Sequence, residues 1–494
     1  MDKNALIAIV LSIAILILYQ EWVSRYYDTP PEQTPPGQAT PPRSTSPRPE
    51  GQARPLTPET PTQQTKRTQD VQRPQVPMKD LKVETDNYIA VFTNRGARLK
   101  SFLLKQHRNS IEADSAPFEM IASARGLPYP LGLQFNEPVP FNDQELVYVT
   151  QNSDLKLNGD SEGSILFQGT TPWGTTVTKK FTFNGSRYTL GLEITADGAG
   201  NPAPPDLLLT SAVNTQQAEI QDAVFEGLVA LVGGKLVREY PDDLNEFQPL
   251  NGQINWAGFG YTYFLFALLP EAEPRGNLSV KKIGPGFQMD LGVQLPGESP
   301  PKVQYTLFVG PKDVDAMKAL GRGLERSIDF GYFAFVAAPL LQILRFSHRF
   351  TGSYGMDIIL LTILIKLLLA PLTHKSFVSM KQMQKLQPQM QRIRERYKDD
   401  KEKMNREIME LYKRNKVNPL GGCLPMLLQF PVFIGLYNAL RTPIELRHAS
   451  FLWIKDLSRP DYESLPFTLL GWKVGLPILV LLMGASMFIQ QWMS

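Results

Sequence analysis

Between Ile358 and Leu372 the chain reads Ile-Ile-Leu-Leu-Thr-Ile-Leu-Ile-Lys-Leu-Leu-Leu-Ala-Pro-Leu, an apolar segment broken by one charge, Lys366. A cation held within hydrocarbon is unfavourable unless a polar cavity receives it, so an intramembrane lysine is a functional residue by default. The alternative is a lysine that snorkels to the headgroups along its own methylene stem. Six uncharged residues still separate Lys366 from Thr373, which favours the cavity.

The charged fraction of 20% and net charge of +3 average over a mosaic. With one cysteine, Cys423, an internal disulfide is excluded, and His107, His348, His374 and His448 form no cluster with metal-ligand spacing. No cofactor is implied.

The organisation follows from composition. Residues 1–27 read as an N-terminal membrane anchor: Ala5 to Tyr19 is apolar apart from Ser12, and Trp22, Tyr26 and Tyr27 follow as interfacial aromatics. A signal peptide is the competing reading, opposed by Asp2 beside Lys3 and by the lack of a small-x-small cleavage site. Residues 28–79 are crowded with Pro, Thr, Gln, Ser and Arg and predict a disordered linker. Residues 80–318 carry strand signals, among them the alternation from Thr176 to Phe183, an Asn184-Gly185 turn and a second alternation from Arg187 to Ile194. They predict a β-sandwich domain. Residues 319–352 connect to the membrane core through an amphipathic segment. In it Leu340, Leu341, Ile343, Leu344, Phe346 and Phe350 share a broad face opposite Gln342, Arg345 and Arg349. Such a helix lies in the membrane interface, or packs on the β domain.

Residues 353–494 predict the helical membrane core, with spans at about 355–373, 420–440 and 472–490 and a hairpin at 375–417. Counting the anchor, the chain has four spans. Lys375 to Lys416 holds 13 Lys or Arg against 6 Asp or Glu, which makes that loop cytoplasmic by the positive-inside rule. The N-terminus is then inside and the β domain outside, in the periplasm of a Gram-negative cell. On the first arm of the hairpin Met383, Leu386, Met390, Ile393 and Tyr397 recur at helical spacing; on the second, Met404, Ile408, Leu411 and Asn415. Two helices that share a seam around Lys398-Asp399-Asp400 follow from this pattern. Arg392, Arg394, Arg396, Lys403 and Arg406 fall outside the seam and are candidate contacts for anionic lipid or a ribosome, or a merely solvated face.

No Ser/His/Asp arrangement, Walker loop or zinc motif argues for catalysis. The third span is more informative: within Asn418 to Tyr437, Pro425 and Pro431 stand with Gly421, Gly422 and Gln429 in a membrane helix. Small residues let helices approach closely, and prolines free backbone carbonyls for other partners. Together with Lys366, Thr362 and Gln429, this span could line a pocket that is polar inside the bilayer yet incomplete as a pore.

These stretches resemble the YidC/Oxa/Alb family of membrane protein insertases: Asp329-Phe-Gly-Tyr-Phe, the segment from Pro339, Ile365-Lys-Leu-Leu-Leu-Ala-Pro-Leu-Thr, Leu386-Gln-Pro, and Asn418 to Tyr437. The resemblance implies a fold and a site. The fold would be a helical core of five spans, with a periplasmic β-supersandwich of the sugar-mutarotase type and a cytoplasmic helical hairpin. The site would be a hydrophilic substrate groove, expected here at Lys366, Thr362, Gln429, Cys423, Pro425, Phe430, Pro431, Phe433 and Tyr437. The family often has arginine at the position of Lys366. Its members carry a further span after the one ending near Ile489, so the resemblance implies a chain short of one groove wall. Implied partners are nascent membrane proteins, the lipid bilayer, the Sec translocon and the ribosome, without specific nucleic-acid recognition, in the bacterial inner membrane.

Two other classes are weighed against this. A carbohydrate-active anchored protein needs paired carboxylates in a cleft; Glu219, Glu226, Asp242 and Asp243 are available without a motif, and Trp173 and Trp256 read as core. A transporter needs broken helices from internal repeats, and no repeat is visible.

Overall fold

A computed structural model describes residues 77–494, apart from 113, 122–126, 137–139, 199–204, 213–223, 272–274, 294–301, 399, 416, 418–423, 462–465, 470–471, 476 and 494. The expected anchor and nearly all of the Pro-rich linker therefore lie outside the described residues.

The first half of the described chain is β. A five-stranded sheet is built on Asp80–Glu84, Tyr88–Thr93 and Arg98–Arg108, and a larger, thirteen-stranded sheet includes Thr176–Asn184, Thr189–Asp197, Lys302–Pro311, Phe264–Pro270 and Leu250–Tyr261. Alternation explains how they meet. Leu81, Tyr88, Phe92 and Phe102 project from the smaller sheet into the same core as Phe167, Phe181, Leu192 and Phe266 of the larger, with the Phe92 and Phe181 rings 4.6 Å apart. Each such side chain removed from water contributes roughly 1.5–3 kcal/mol, which makes the interdigitated faces the main source of the domain's stability. Every residue of Phe264–Pro270 is buried because the outer face of the large sheet is covered too. There Trp256, Leu265, Leu269 and Phe308 pack against Met317 and Leu324, which follow the last strand.

The Thr176–Asn184 and Thr189–Asp197 strands form the expected hairpin, but the innermost aligned pair is Phe183 with Leu190, so the connection is longer than a two-residue turn. Gly185 serves a different purpose: a Cβ there would lie 2.6 Å from the Gly159 carbonyl oxygen, so only glycine fits beneath the neighbouring loop.

One residue on the inward face of this hairpin is charged. Lys179, fully buried, donates to Asp143 at 2.7 Å and to the carbonyls of Gly96 and Leu131. The buried Asp143 also accepts from Arg98 at 2.9 Å, from the Tyr148 hydroxyl at 3.0 Å and from the Leu133 N–H. Burial pushes the Lys179 amine down to about 8, and the Asp143 carboxylate opposes that shift.

Six α-helices follow the β domain among the described residues: α1 (Val314–Ala319), α2 (Ala334–Thr351), α3 (Tyr354–Arg396), α4 (Lys401–Arg414), α5 (Leu424–Arg441) and α6 (Ile478–Met493). Asp313 caps α1 by accepting from the Ala316 N–H. The α2 helix stops at Gly352, whose left-handed backbone (φ 64°) lets its N–H reach the His348 carbonyl. One face of α2, with Ala337, Leu340, Leu341 and Leu344, packs on Leu361 of α3 and Ala439 of α5. Ile343, Phe346 and Phe350 point outward instead, so the broad apolar face read from the sequence is divided between a helix-packing side and an exposed side. At the start of α3 the buried Asp357 accepts from Thr351 Oγ1 at 2.6 Å and pairs with His348 Nδ1 at 2.9 Å, tying α2 to α3 across the glycine turn.

One expected boundary is corrected and another proves to fall inside a single helix. The span at 355–373 and the first arm of the hairpin are one uninterrupted helix, α3, which runs through Pro371 and Pro388. The last apolar run does not begin its helix at Trp472: Pro466–Leu469 and Trp472–Gly475 pair as antiparallel strands, and α6 starts at Ile478. Among the described residues α3 alone is long and apolar enough to cross a membrane by length and composition; the apolar α6 is shorter.

The hairpin seam takes the expected form in part, with Leu386, Tyr412 and Val417 buried and Met383, Met390, Ile408 and Leu411 packed around them, while Ile393, Tyr397 and Met404 do not join the cluster. Tyr412 replaces Asn415 in it. The Asn415 side chain is exposed and donates to the Leu411 carbonyl, closing the C-terminus of α4.

The segment after α5 returns to the β domain. Ile444 joins the sandwich core, and Arg447 donates to the Arg108 carbonyl at 2.6 Å with its guanidinium over the Phe118 and Phe264 rings. Phe451 lies against Gly355, where a Cβ would meet its ring at 2.0 Å.

Candidate functional site

The α3 helix rises about 1.5 Å per residue, which sets Lys366 roughly 18 Å along the axis from Tyr354. The Lys366 side chain is exposed. It opens into a cavity of about 450 Å³ between α3 and α5. From α3 come Thr362, Ile365, Lys366, Leu369, Ala370, Thr373, His374 and Phe377, and from α5 Gln429, Val432, Phe433 and Leu436.

The lining is mainly apolar with a polar thread. Lys366 is exposed to the cavity and has no hydrogen bond or ion pair among the described residues. Thr362 Oγ1 donates to the Ile358 carbonyl at 2.8 Å and Thr373 Oγ1 to the Leu369 carbonyl at 2.9 Å, so both hydroxyls face the cavity with acceptor capacity alone. Across from them, Gln429 offers an amide. A charged donor, neutral amides and hydroxyls beside greasy walls can solvate an extended polar peptide without fixing its sequence.

The second wall is held by close packing. Gly435 of α5 faces Val336 of α2, where a Cβ would lie 2.8 Å from the valine Cβ, and Asn438 Nδ2 donates to the Phe330 carbonyl at 2.9 Å. Small residues thus let α5 sit against α2 while its other side faces the cavity.

Of the residues named from sequence, Lys366, Thr362, Gln429 and Phe433 come together here. Phe430, Pro431 and Tyr437 belong to α5 but do not line this cavity. Cys423 and the side chain of Pro425 lie outside the described residues. Sequence reasoning missed Ile365, Leu369, Ala370, Thr373, His374 and Phe377 of α3 and Val432 and Leu436 of α5, although positions 362, 366, 369, 373 and 377 repeat at helical spacing and were legible as one face. In the hairpin, Arg392, Arg394, Arg396, Lys403 and Arg406 are all exposed. The weighed carboxylates of the β domain include Glu226, which is held in an ion pair by Lys312 at 2.6 Å, while Glu219 lies outside the described residues.

A family model described as the YidC periplasmic domain matches residues 80–343, and one described as the 60Kd inner membrane protein matches 346–494. Curated proteins described as membrane protein insertase YidC match along the whole chain: that of Syntrophus aciditrophicus is 36% identical over 100% of this chain and 90% of its own length. The chain belongs to the YidC family of membrane protein insertases. The YidC protein of Pelobacter propionicus is 40% identical over 84% of this chain and 78% of its own length, and that of Geobacter sulfurreducens 36% identical over 100% and 89%. The family is one of insertases rather than enzymes, and its members are inner-membrane proteins. The two family models meet inside α2, so the helix that leaves the β domain is also the first to pack on the cavity helices. A galactose mutarotase-like protein from Lactobacillus casei aligns with a TM-score of 0.32 and 12% identity over 47% of this chain and 100% of its own, too remote to carry an argument.

Proposed function

We propose that this chain inserts proteins into the inner membrane by receiving their hydrophilic, acidic segments in the cavity between α3 and α5 while their apolar helices move into lipid along α5. The observation that carries this reading is Lys366, a cation exposed in a largely apolar cavity on a helix long enough to cross a bilayer, with no partner among the described residues. Such a charge attracts acidic segments and draws water, which shortens the apolar path they must cross. Transfer of about 20 apolar residues into hydrocarbon supplies the driving force, so no nucleotide hydrolysis is required. The exposed cations Arg392, Arg394, Arg396, Lys403 and Arg406 suit a docking surface for ribosome or Sec translocon. The test is reconstitution of the purified chain in liposomes with a short single-spanning substrate. Protease protection of the translocated end above that of empty liposomes is expected, and no gain over them overturns the reading.

Orientation in the membrane follows from the basic hairpin. Lys398→Cys in a Cys423→Ser background should react with a membrane-impermeant thiol reagent in inverted vesicles and stay unlabelled in right-side-out ones. The reverse pattern would place the hairpin outside and the β domain in the cytoplasm.

A further inference from the structure

The polar face of α2, with Gln342, Arg345 and Arg349, does not simply meet solvent. It forms one wall of a second cavity, about 710 Å³, bounded also by α1, by Tyr354 at the start of α3 and by Glu445 behind α5. Arg345 is already engaged: its guanidinium forks onto Asp315 of α1, and its Nε lies 3.2 Å from Glu445 Oε1. Two further cations line the same space from different helices, Lys318 of α1 and Arg349 of α2. Both are exposed, and neither side chain has a hydrogen bond or ion pair among the described residues. On the acidic side Glu325 is equally unpaired among the described residues, and the buried Oε1 of Glu445 has no hydrogen-bond partner despite the nearby guanidinium. With Asp313, the described lining carries three cations against four carboxylates. A net anion is disfavoured there, whereas a ligand with one negative and one positive end finds a partner for each. The cavity lies where α3 begins its crossing, and its lining includes Phe346, which is exposed together with Ile343 and Phe350 of the same helix. Such an apolar track beside charged groups suits acyl chains at the membrane interface.

We propose that this cavity binds the zwitterionic headgroup of an aminophospholipid, with the phosphate on Lys318 and Arg349, the primary ammonium on Glu325 and Glu445, and the acyl chains along the exposed apolar side chains of α2. A primary ammonium donates hydrogen bonds to carboxylates, whereas the quaternary ammonium of choline has none to donate. A glycerol headgroup brings the phosphate but no cation to answer the carboxylates. Ethanolamine is therefore preferred over both. A lipid held in this way ties α1, which packs on the large sheet through Met317, to the bilayer at the point where the chain leaves the β domain.

The experiment is photolabelling of the full chain in phosphatidylcholine nanodiscs that contain a small fraction of a phospholipid with a photoreactive acyl chain and an ethanolamine, choline or glycerol headgroup. Labelled peptides are identified by mass spectrometry. Label on the α2 peptide that carries Phe346 should be about threefold or more higher with ethanolamine than with either other headgroup. Label on α6, whose exposed apolar surface carries none of these charged groups, should not depend on the headgroup. Lys318→Gln combined with Arg349→Gln should bring the ethanolamine label down to the choline level, and Glu325→Gln should lower it while raising the glycerol label. Equal label from the three headgroups, more from glycerol than from ethanolamine, or wild-type label in the double variant overturns the proposal. Should the double variant fail to fold, the headgroup comparison on the wild-type chain decides alone. Excess glycerophosphoethanolamine, which has the headgroup without the chains, should compete poorly; full displacement by it would assign the site to a soluble phosphodiester and overturn the lipid. Insertion is not read in this assay, so its outcome is independent of the role of Lys366.

Discussion

Lys366→Glu should lower insertion of a substrate with an acidic leader by about 10-fold or more, the penalty of replacing an attraction of roughly 1 kcal/mol or more with a repulsion of similar size in a partly dehydrated cavity. Lys366→Arg should retain most of the activity, because the charge survives and the apolar walls make no use of a planar fork. A neutral leader should feel the charge reversal much less. The measurement is protease protection in proteoliposomes with both leaders. Normal insertion of the acidic leader by the Lys366→Glu chain would remove the cation from the mechanism.

Asp143→Ala should destabilise the β domain by about 3–5 kcal/mol, among the largest effects of any single change in it. Among the described residues the carboxylate is the only counter-charge in contact with the buried Lys179 and Arg98, and it also accepts from the Tyr148 hydroxyl and the Leu133 N–H. Its loss leaves two buried cations without a counter-charge, and the Tyr148 hydroxyl and Leu133 N–H without their acceptor. Lys179→Met should cost less, since the remaining Arg98–Asp143 pair is electrically balanced. Denaturant unfolding followed by the fluorescence of Trp173 and Trp256, both packed in the β domain, would report the difference. Equal losses for the two variants would mean that the cost does not come from leaving buried cations without a counter-charge.

Much of this was legible because period and face coincide. The seam of the hairpin followed from apolar residues at 3-4 spacing, and the Thr176–Asp197 hairpin from alternation. Alternation also placed Lys179 on the side of Val177, Phe181 and Phe183, so a buried charge was visible in the pattern, but nothing local named Asp143, which arrives from 36 residues away. The continuity of α3 was hidden for a different reason: a change from apolar to basic composition at Lys375 carries no helix-stop signal, and the helix runs through it uninterrupted. Hydropathy likewise merged Trp472–Gly475 with α6, although Gly471, Gly475 and Pro477 punctuate the run.

The contact between Arg447 and the carbonyl of Arg108 joins residues 339 positions apart, and Ile444 fills the sandwich core from the same late segment. Contacts of such separation carry a loop-closure cost and cannot form before the later segment exists. The β domain therefore receives its final core residue only once α5 has been synthesised and the segment behind it has reached the strands. An insertase must itself be inserted, and in this chain the completion of the domain is a record of that event: until α5 is in place, Phe118 and Phe264 keep an open face that a protease or a chaperone could read as unfinished.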